Sequence, residues 1–386
     1  MCFLALILIF NARCDTTETL VISNHAIIQK GDFTQTGIKY INITTGVDKI
    51  GDSAFYSWAS LLSVVIGDSV TEIGSTSFAN CSLLGSITIG PNVFKILGAS
   101  FAECKSLKTV IFQGNKIKSF EYELFKFCNH LPEIELPDSL VEIGDRVFYR
   151  CIFLTSIKFS PNLNKIGASA FYSTGLQELT IPPLVTNISE QAFTYCNNLR
   201  SVNLCNVRII KEYAFNYCGL LWNVTFPATV EVIGAYAFQQ SSIEELNFTD
   251  KLTTIGSYAF YYCDYLATVT FGNGLKTIGD NGFSMCTSLR NIMIPNNVLT
   301  IGPDVFNTCE HLKKVIIGNG ITVISSHAFS SCKALTEIIL PDTITEIGIE
   351  AFYYCASLLS INFSPNLMSI NKNAFYACSS LKSLHA

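Results

Sequence analysis

The sequence predicts a repeat solenoid, with short parallel β-strands on one face and short helical turns or irregular segments on the other. Three observations among the 386 residues predict it. Phenylalanine recurs every 22–24 residues, isoleucine lies five residues before it in nearly every copy, and a leucine six residues after it begins an alternating apolar stretch. Sixteen units share this phase, and their phenylalanines are Phe33, Phe55, Phe78, Phe101, Phe125, Phe148, Phe171, Phe193, Phe215, Phe238, Phe260, Phe283, Phe306, Phe329, Phe352 and Phe375.

Each unit contains segments that predict its path. The stretch L-x-x-I-x-I alternates apolar and polar residues, which is the period of a half-buried strand. A proline or glycine after it predicts the end of that strand. An aliphatic residue, an Ile-Gly pair and a short A-F-x-x-C segment follow, and the last of these is predicted to make one or two helical turns. One unit buries too few apolar side chains to fold alone, so neighbouring units must stack.

Composition excludes several classes of protein. Hydrophobic residues make up 49% and charged residues 14% of the chain, which excludes intrinsic disorder. The net charge is −5 and no basic run occurs. Nothing in the sequence would therefore displace counterions from nucleic acid, and we expect no nucleic-acid partner. Outside residues 2–10 no apolar run approaches the roughly 20 residues that span a bilayer, so we expect no integral membrane span.

The unit from Leu335 to Cys355 reads LTEIILPDTITEIGIEAFYYC and closely follows the pattern L-x-x-I-x-I-P-x-x-V-x-x-I-G-x-x-A-F-x-x-C. This pattern is similar to that of the BspA-like leucine-rich repeat family, of the surface antigen type. Members resemble surface proteins of oral anaerobic bacteria and of parasitic protists such as trichomonads. The resemblance extends from about Ile28 to the end of the chain. It implies a leucine-rich-repeat solenoid that adheres to host matrix proteins or to other cells, with no catalysis and no cofactor.

The repeat phase divides the chain into three parts. Residues 2–10 are apolar and precede a small-x-small cleavage site before Asp15, which predicts a signal peptide over residues 1–14. The alternative is that this segment is a hydrophobic cap on the solenoid. Residues 15–32 are predicted to form an N-terminal cap, and residues 33–386 about sixteen leucine-rich repeats of 22–24 residues. The last repeat is incomplete or uncapped, and end-to-end self-association is predicted to cover it; the alternatives are a truncated array or a frayed end.

Six N-x-S/T sequons are candidate N-glycosylation sites. In four of the sequons the asparagine lies between the apolar residues of a predicted strand, and hence on the exposed face of the sheet. The exceptions are Asn80 and Asn187. Glycans at the four strand positions would keep the face from packing closely against a protein around those units. The six asparagines are Asn42, Asn80, Asn187, Asn223, Asn247 and Asn362.

Twelve of the fifteen cysteines occupy one repeat position, three residues after the phenylalanine. No C-x-x-C pair or interleaved histidine supports a zinc site, so we expect no metal. The pattern predicts a column of small buried thiols. The alternative is a series of disulfides between turns stacked about 5 Å apart, although parallel side-chain vectors give such bonds a poor torsion. Cys205 lies outside the column and is predicted to be an exposed thiol.

The outward positions of the predicted strands hold mainly small hydroxyl and amide side chains. Tryptophan, tyrosine and arginine, the residues of interface hot spots, are missing from the outward positions between Ser63 and Asn362. Met293, Ile316 and Ile339 occupy one position on three successive strands and are predicted to form a contiguous apolar patch. We favour this patch as the partner-binding surface. The alternative is ordinary β-branched filling of a sheet.

Tyrosines gather one or two residues after the phenylalanine in many units, as in Tyr149, Tyr195 and Tyr261. These positions lie in the segment opposite the predicted sheet. Amphipathic rings there are able to bind a partner, but turn-on-turn stacking is the simpler interpretation.

No catalytic motif occurs in the chain. H-E-x-x-H, G-x-S-x-G and phosphate-loop patterns are missing, and five histidines are scattered over different repeat positions. Gly272-Asn-Gly274 and Gly318-Asn-Gly320 recur in register and are predicted to be strand-end turns. Unit lengths stay within 22–24 residues, so no insertion builds a pocket. The sequence predicts a protein that is not an enzyme.

These observations favour a secreted or surface-displayed leucine-rich-repeat protein that mediates adhesion or other protein–protein contacts. Its partners would be proteins, such as host matrix or cell-surface proteins. Two alternatives remain open from the residues. One is a cytoplasmic scaffold in which the apolar N-terminal segment is a cap. The other is a glycosylated structural coat or spacer without a specific ligand.

Overall fold

A computed structural model describes residues 12–16, 18–35 and 37–385. The chain forms a parallel-strand β-solenoid of about fifteen turns. Each repeat contributes a longer strand, a strand of two residues and a ribbon of tight turns around its phenylalanine. Contacts divide the chain into two compact units, Met1–Glu178 with Pro182–Val185, and Leu179–Ile181 with Thr186–Ala386. The predicted signal peptide lies mostly outside the described residues.

The first unit contains strands β1 to β15. Strand β1 pairs antiparallel with β2, and every other pair in this unit is parallel. Longer strands have even numbers and two-residue strands have odd numbers from β3 onward. The bounds are β1 Ala12–Thr16, β2 Thr19–Ile22, β3 Ile27–Ile28, β4 Tyr40–Ile43, β5 Lys49–Ile50, β6 Ser63–Ile66, β7 Glu72–Ile73, β8 Ser86–Ile89, β9 Lys95–Ile96, β10 Thr109–Phe112, β11 Ser119–Phe120, β12 Glu133–Glu135, β13 Glu142–Ile143, β14 Ser156–Lys158 and β15 Lys165–Ile166.

The second unit continues the same alternation, and its strand pairs are parallel. Its first strand, β16, begins at Glu178, which is assigned to the first unit. The bounds are β16 Glu178–Thr180, β17 Asn187–Ile188, β18 Ser201–Asn203, β19 Ile209–Ile210, β20 Asn223–Thr225, β21 Val232–Ile233, β22 Glu245–Asn247, β23 Thr254–Ile255, β24 Thr268–Thr270, β25 Thr277–Ile278, β26 Asn291–Ile294, β27 Thr300–Ile301, β28 Lys314–Ile317, β29 Val323–Ile324, β30 Glu337–Ile339, β31 Glu346–Ile347, β32 Ser360–Asn362, β33 Ser369–Ile370 and β34 Ser383–His385.

The strands follow from the alternation of the repeat. In β26 the side chains of Ile292 and Ile294 are buried, whereas those of Asn291 and Met293 face solvent. Because the unit length changes little, equivalent residues pair across neighbouring turns without a shift of register, as Ile292 does with Val315 of β28. Most of the strands whose side chains are described therefore present one row to the core and one row to solvent, whereas in β33 both Ser369 and Ile370 are exposed.

The segment around each phenylalanine is irregular and does not form the predicted helical turns. The described residues contain no helix, so the expected one or two helical turns are wrong and the irregular segment is correct. From the turn of Phe55 onward, the residues two before and two after the phenylalanine have a left-handed backbone; the φ angles of Tyr236 and Gln240, for example, are 58° and 57°. Two such residues in five interrupt a right-handed helix and fold the chain into a sharp ribbon.

Backbone hydrogen bonds connect these ribbons from turn to turn. Around Phe238 the N–H groups at positions −2, 0 and +2 each donate to a carbonyl of the following turn. The bonds are Tyr236 to Ser257, Phe238 to Ala259 and Gln240 to Tyr261, at 2.9, 2.8 and 2.9 Å. The neighbouring turn therefore satisfies the groups that a helix would have paired internally.

The phenylalanine rings form the core behind the ribbon. In the first unit consecutive rings from Phe33 to Phe171 lie 5.0–6.4 Å apart, and in the second unit those from Phe193 to Phe375 lie 5.2–5.6 Å apart. Isoleucines and leucines of the strands fill the rest of the interior. The described residues contain no helix that is long and apolar enough to cross a membrane.

The Gly-Asn-Gly segments lie after strands, as the sequence predicts. Gly272 and Gly274 follow β24, and Gly318 and Gly320 follow β28. A Cβ atom at Gly274 would lie 1.8 Å from the carbonyl oxygen of Asp250 in the preceding turn. Glycine is required there because the two backbones approach closely. These segments therefore join turns tightly.

Candidate functional site

The strands β26, β28 and β30 bring the three predicted patch residues together. Met293 pairs in register with Ile316, and Ile316 pairs with Ile339. Met293 and Ile339 are 62% and 45% exposed, and Ile316 is half-buried between them. We call Met293, Ile316 and Ile339 the apolar patch. Its side chains form a single row across three adjacent strands, facing away from the core.

Polar residues border the apolar patch. On the same strands, two residues before the patch, lie Asn291, Lys314 and Glu337. The Lys314 Nζ lies 3.0 Å from the Glu337 Oε1 across the two strands. The next strands on either side, β24 and β32, present Thr270 and Asn362 at the patch position. The patch is therefore a bounded apolar surface with a neutralised charge pair along one edge.

The second apolar spot on the sheet is interrupted. Val65 of β6 and Ile111 of β10 are 41% and 49% exposed. Both pair with Thr88 of β8, which lies between them. This arrangement leaves two separate apolar side chains and offers less continuous surface than the apolar patch.

The six sequon asparagines fall in two kinds of environment. Five lie in strands with exposed side chains: Asn42 in β4, Asn187 in β17, Asn223 in β20, Asn247 in β22 and Asn362 in β32. Asn80 lies instead in a turn ribbon, half-buried, with a left-handed backbone. Its side-chain amide donates to the Ser57 Oγ at 2.9 Å. Access to the amide nitrogen is thus greater at the five strand positions.

The cysteines of the repeat form a column of free thiols, as predicted. The twelve cysteines at this position and Cys205 are unpaired with one another, and all of the twelve except Cys378 are buried. In eleven of the twelve the thiol sulfur lies 3.1–3.3 Å from the carbonyl oxygen of the phenylalanine in the preceding turn, for example Cys286 with Phe260 and Cys309 with Phe283. Each of these eleven thiols donates to a carbonyl behind the ring and has a structural role.

Burial sets the ionisation of these thiols. Desolvation raises the pKa of Cys263 to about 11 and that of Cys309 to about 12. Cys263 also lies 3.3 Å from the Ser241 Oγ, and this hydrogen bond partly opposes the rise. The thiols remain protonated at neutral pH and make poor nucleophiles. In the part of the chain that the structure describes, no group of three His, Cys, Asp or Glu side chains is arranged to hold a metal ion.

A stack of tyrosines in the second unit was missed by the sequence reasoning, which considered only positions after the phenylalanine. Tyr213, Tyr236 and Tyr258 lie two residues before Phe215, Phe238 and Phe260. Their ring centroids are 4.7 Å apart from turn to turn, and the planes differ by 3°. The sequence feature that indicates this stack is tyrosine at position −2 in three consecutive units. We call these three residues the tyrosine stack.

The chain resembles known repeat proteins over nearly its whole length. A model of the BspA type leucine rich repeat region matches residues 9–132, 118–244, 208–336 and 322–386. Among solved structures, a leucine-rich repeat protein from Bacteroides ovatus ATCC 8483 is 27% identical, with a TM-score of 0.62; the match covers 97% of this chain and 92% of that chain. No curated protein matches the chain.

A second solved structure is also similar to the chain. It is a leucine rich cell surface protein from Faecalibacterium prausnitzii A2-165, 26% identical, with a TM-score of 0.52. The match covers 85% of this chain and 94% of that chain.

Proposed function

Because the chain belongs to the family of proteins with a BspA type leucine rich repeat region, we propose that it is a non-catalytic surface or secreted protein that mediates adhesion to other proteins. The fold supports this proposal, since a solenoid presents long regular rows of side chains to a partner. The similar protein from Faecalibacterium prausnitzii A2-165 is described as a cell surface protein. The partners would be host matrix or cell-surface proteins.

The apolar patch is the observation that carries the proposal. Met293, Ile316 and Ile339 form an exposed row where the outward positions of the flanking strands hold threonine and asparagine. Full burial of one such side chain contributes about 1.5–3 kcal/mol, so the row alone supports modest affinity. Adhesion through such a surface would depend on several copies binding at once.

The triple variant Met293→Ser, Ile316→Ser, Ile339→Ser is expected to bind immobilised extracellular matrix at least tenfold more weakly than the unchanged protein. The substitutions remove apolar area from the interface, and because all three side chains face solvent the fold should be retained. Val65→Ser with Ile111→Ser is the matched control, since it removes exposed apolar side chains from the first unit. Binding would be measured by surface plasmon resonance on both variants. Unchanged binding of the triple variant would refute the patch as the contact surface.

We further propose that the chain is secreted, with residues 1–14 as signal peptide, residues 15–32 as cap, and N-glycans on exposed strand asparagines. Asn223, Asn247 and Asn362 are the best candidates, because their side chains leave the sheet into solvent. The exposed positions also favour a second function, a glycosylated coat or spacer whose sheet face is covered by sugar. That coat would need no specific ligand.

Intact mass of the protein from its native source is expected to show a chain starting at Asp15. The mass should fall after enzymatic removal of N-glycans. An uncleaved, unglycosylated chain would contradict secretion and favour the cytoplasmic scaffold. Full occupancy of Asn223, Asn247 and Asn362 without matrix binding would favour the coat over the adhesin.

A further inference from the structure

The tyrosine stack is an ordered aromatic surface outside the sheet. Tyr213, Tyr236 and Tyr258 are half-exposed and parallel, and each ring is held by the next at 4.7 Å. Tyr261, in the same turn as Tyr258, packs beside the row in an edge-to-face contact at 5.4 Å. Stacking fixes these side chains before any ligand arrives, so binding would cost little further side-chain entropy.

The positions −2, +1 and +2 of the three turns that carry the stack are uncharged and rich in hydrogen-bonding groups, whereas charged side chains lie just outside them at Lys211 and Glu212. In the turns of Phe215, Phe238 and Phe260, positions −2, +1 and +2 contain only tyrosine, asparagine or glutamine. The Asn216 amide donates to the Gln239 Oε1 at 2.8 Å, which orders the side chains next to the stack. A charged ligand would find no counter-ion in these positions. The nine residues are Tyr213, Asn216, Tyr217, Tyr236, Gln239, Gln240, Tyr258, Tyr261 and Tyr262.

The three stacked hydroxyl groups are available to a ligand. Within the described residues, no side chain or backbone group forms a hydrogen bond with the hydroxyls of Tyr213, Tyr236 and Tyr258. None of them is buried, because Ser77 Oγ alone among the described side chains is a buried polar atom without a partner. A phenolic hydroxyl both donates and accepts. The stack thus presents a row of unused donors and acceptors, one per turn.

The 4.7 Å spacing of the tyrosine rings and the positions of the sequons indicate which kind of polymer fits the stack. An extended polypeptide places side chains of one face about 6.7 Å apart, out of step with the 4.7 Å row. The rings of an extended β-1,4-linked polysaccharide follow one another at a distance closer to that row, and each ring bears hydroxyls. In the second unit the sequon asparagines Asn187, Asn223, Asn247 and Asn362 all lie in strands, so glycans on the chain itself would not cover the turn ribbon.

We propose that the tyrosine stack binds a neutral β-1,4-linked polysaccharide, which lies along the row with its hydroxyl groups bonded to Tyr213, Tyr236 and Tyr258. Gln240 and Tyr262 lie two residues after their phenylalanines and add polar and aromatic contacts beside the row. This binding is independent of the apolar patch and of adhesion to proteins. It would give the protein a second, carbohydrate-directed contact.

Isothermal titration calorimetry of the full chain with the hexasaccharides of β-1,4-linked glucose and of β-1,4-linked N-acetylglucosamine tests the proposal. At least one of them is expected to bind saturably at millimolar concentration or below. The triple variant Tyr213→Phe, Tyr236→Phe, Tyr258→Phe keeps the rings and removes only the hydroxyls. It should lose at least tenfold in affinity while its melting temperature stays unchanged. Tyr236→Phe alone repeats the test with less disturbance.

The control is Tyr353→Phe with Tyr376→Phe, a stacked pair at 5.2 Å in other turns of the same unit. This pair variant, and the serine variant of the apolar patch, should bind the sugar as the unchanged protein does. Absence of saturable binding for both hexasaccharides, or equal affinity of the triple phenylalanine variant, would overturn the proposal. A triple variant that loses matrix binding, with no sugar bound by the parent, would assign the stack to a protein partner instead.

Discussion

Replacement of Phe283 by alanine is expected to lower the free energy of unfolding by about 3–5 kcal/mol. The ring is fully buried and lies 5.2 Å from Phe260 and 5.6 Å from Phe306, so its removal leaves a cavity between two turns. Phe271 also packs edge-on against it at 5.8 Å. Because each turn is stabilised only by its neighbours, the loss weakens contacts on both sides. Urea denaturation followed by circular dichroism measures the change.

The matched control is Tyr265→Ala. Its ring is of similar size but 62% exposed, in the turn before Phe283. We expect a change within about 0.5 kcal/mol, as for ordinary surface substitutions. Equal destabilisation by the two variants would show that the phenylalanine column is not the main source of contact energy between turns.

Alkaline pH is expected to unfold the protein steeply above pH 9. In the folded chain burial raises the pKa of Cys263 from 9.0 to about 11 and that of Cys309 from 9.0 to about 12. Above pH 9 the unfolded chain releases these protons while the folded chain keeps them. The unfolded state is therefore favoured by about 1.4 kcal/mol per thiol for each pH unit. By pH 11 these two thiols alone lower the free energy of unfolding by about 5 kcal/mol.

The effect is absent below pH 9, where both states hold the thiol proton. Other buried thiols of the column act in the same direction, because desolvation also raises the pKa of Cys286 and Cys332. The free energy of unfolding would be measured against pH from 7 to 11 with a reductant present. The double variant Cys263→Ala, Cys309→Ala should show a shallower alkaline fall, and Cys205→Ala, outside the column, should follow the parent. Parallel curves for all three proteins would contradict the buried-thiol explanation.

Much of the fold was predictable from residue spacing. Phenylalanine every 22–24 residues and the alternation of L-x-x-I-x-I predicted the solenoid and the resemblance to its family, and both are confirmed. The helical turns were wrong. The left-handed residues that replace them include Tyr236, Glu350 and Arg146. Nothing in those side chains indicates a positive φ, because the conformation comes from hydrogen bonds between turns rather than from local preference.

The candidate sites were predictable to different degrees. Met293, Ile316 and Ile339 share one repeat position, and constant unit length turned that position into a contiguous row. The tyrosine stack shares a repeat position too, but its rings point out of a ribbon whose geometry no sequence period describes. Free hydroxyls and parallel ring planes become visible only when the turns are in place.

The left-handed positions of the ribbon have a consequence for how such proteins diversify. Position −2 is occupied by alanine, serine, threonine, asparagine, aspartate, glutamate, glutamine, arginine, histidine and tyrosine in different turns, with φ between 51° and 59° throughout. Most of these residues carry a conformational cost of about 1–2 kcal/mol, yet the backbone path is the same. Since the path does not depend on which side chain stands there, mutation is able to rewrite the chemistry of this surface one turn at a time. The stacked tyrosines are then one outcome of a scaffold whose outer face differs from turn to turn while its core residues repeat.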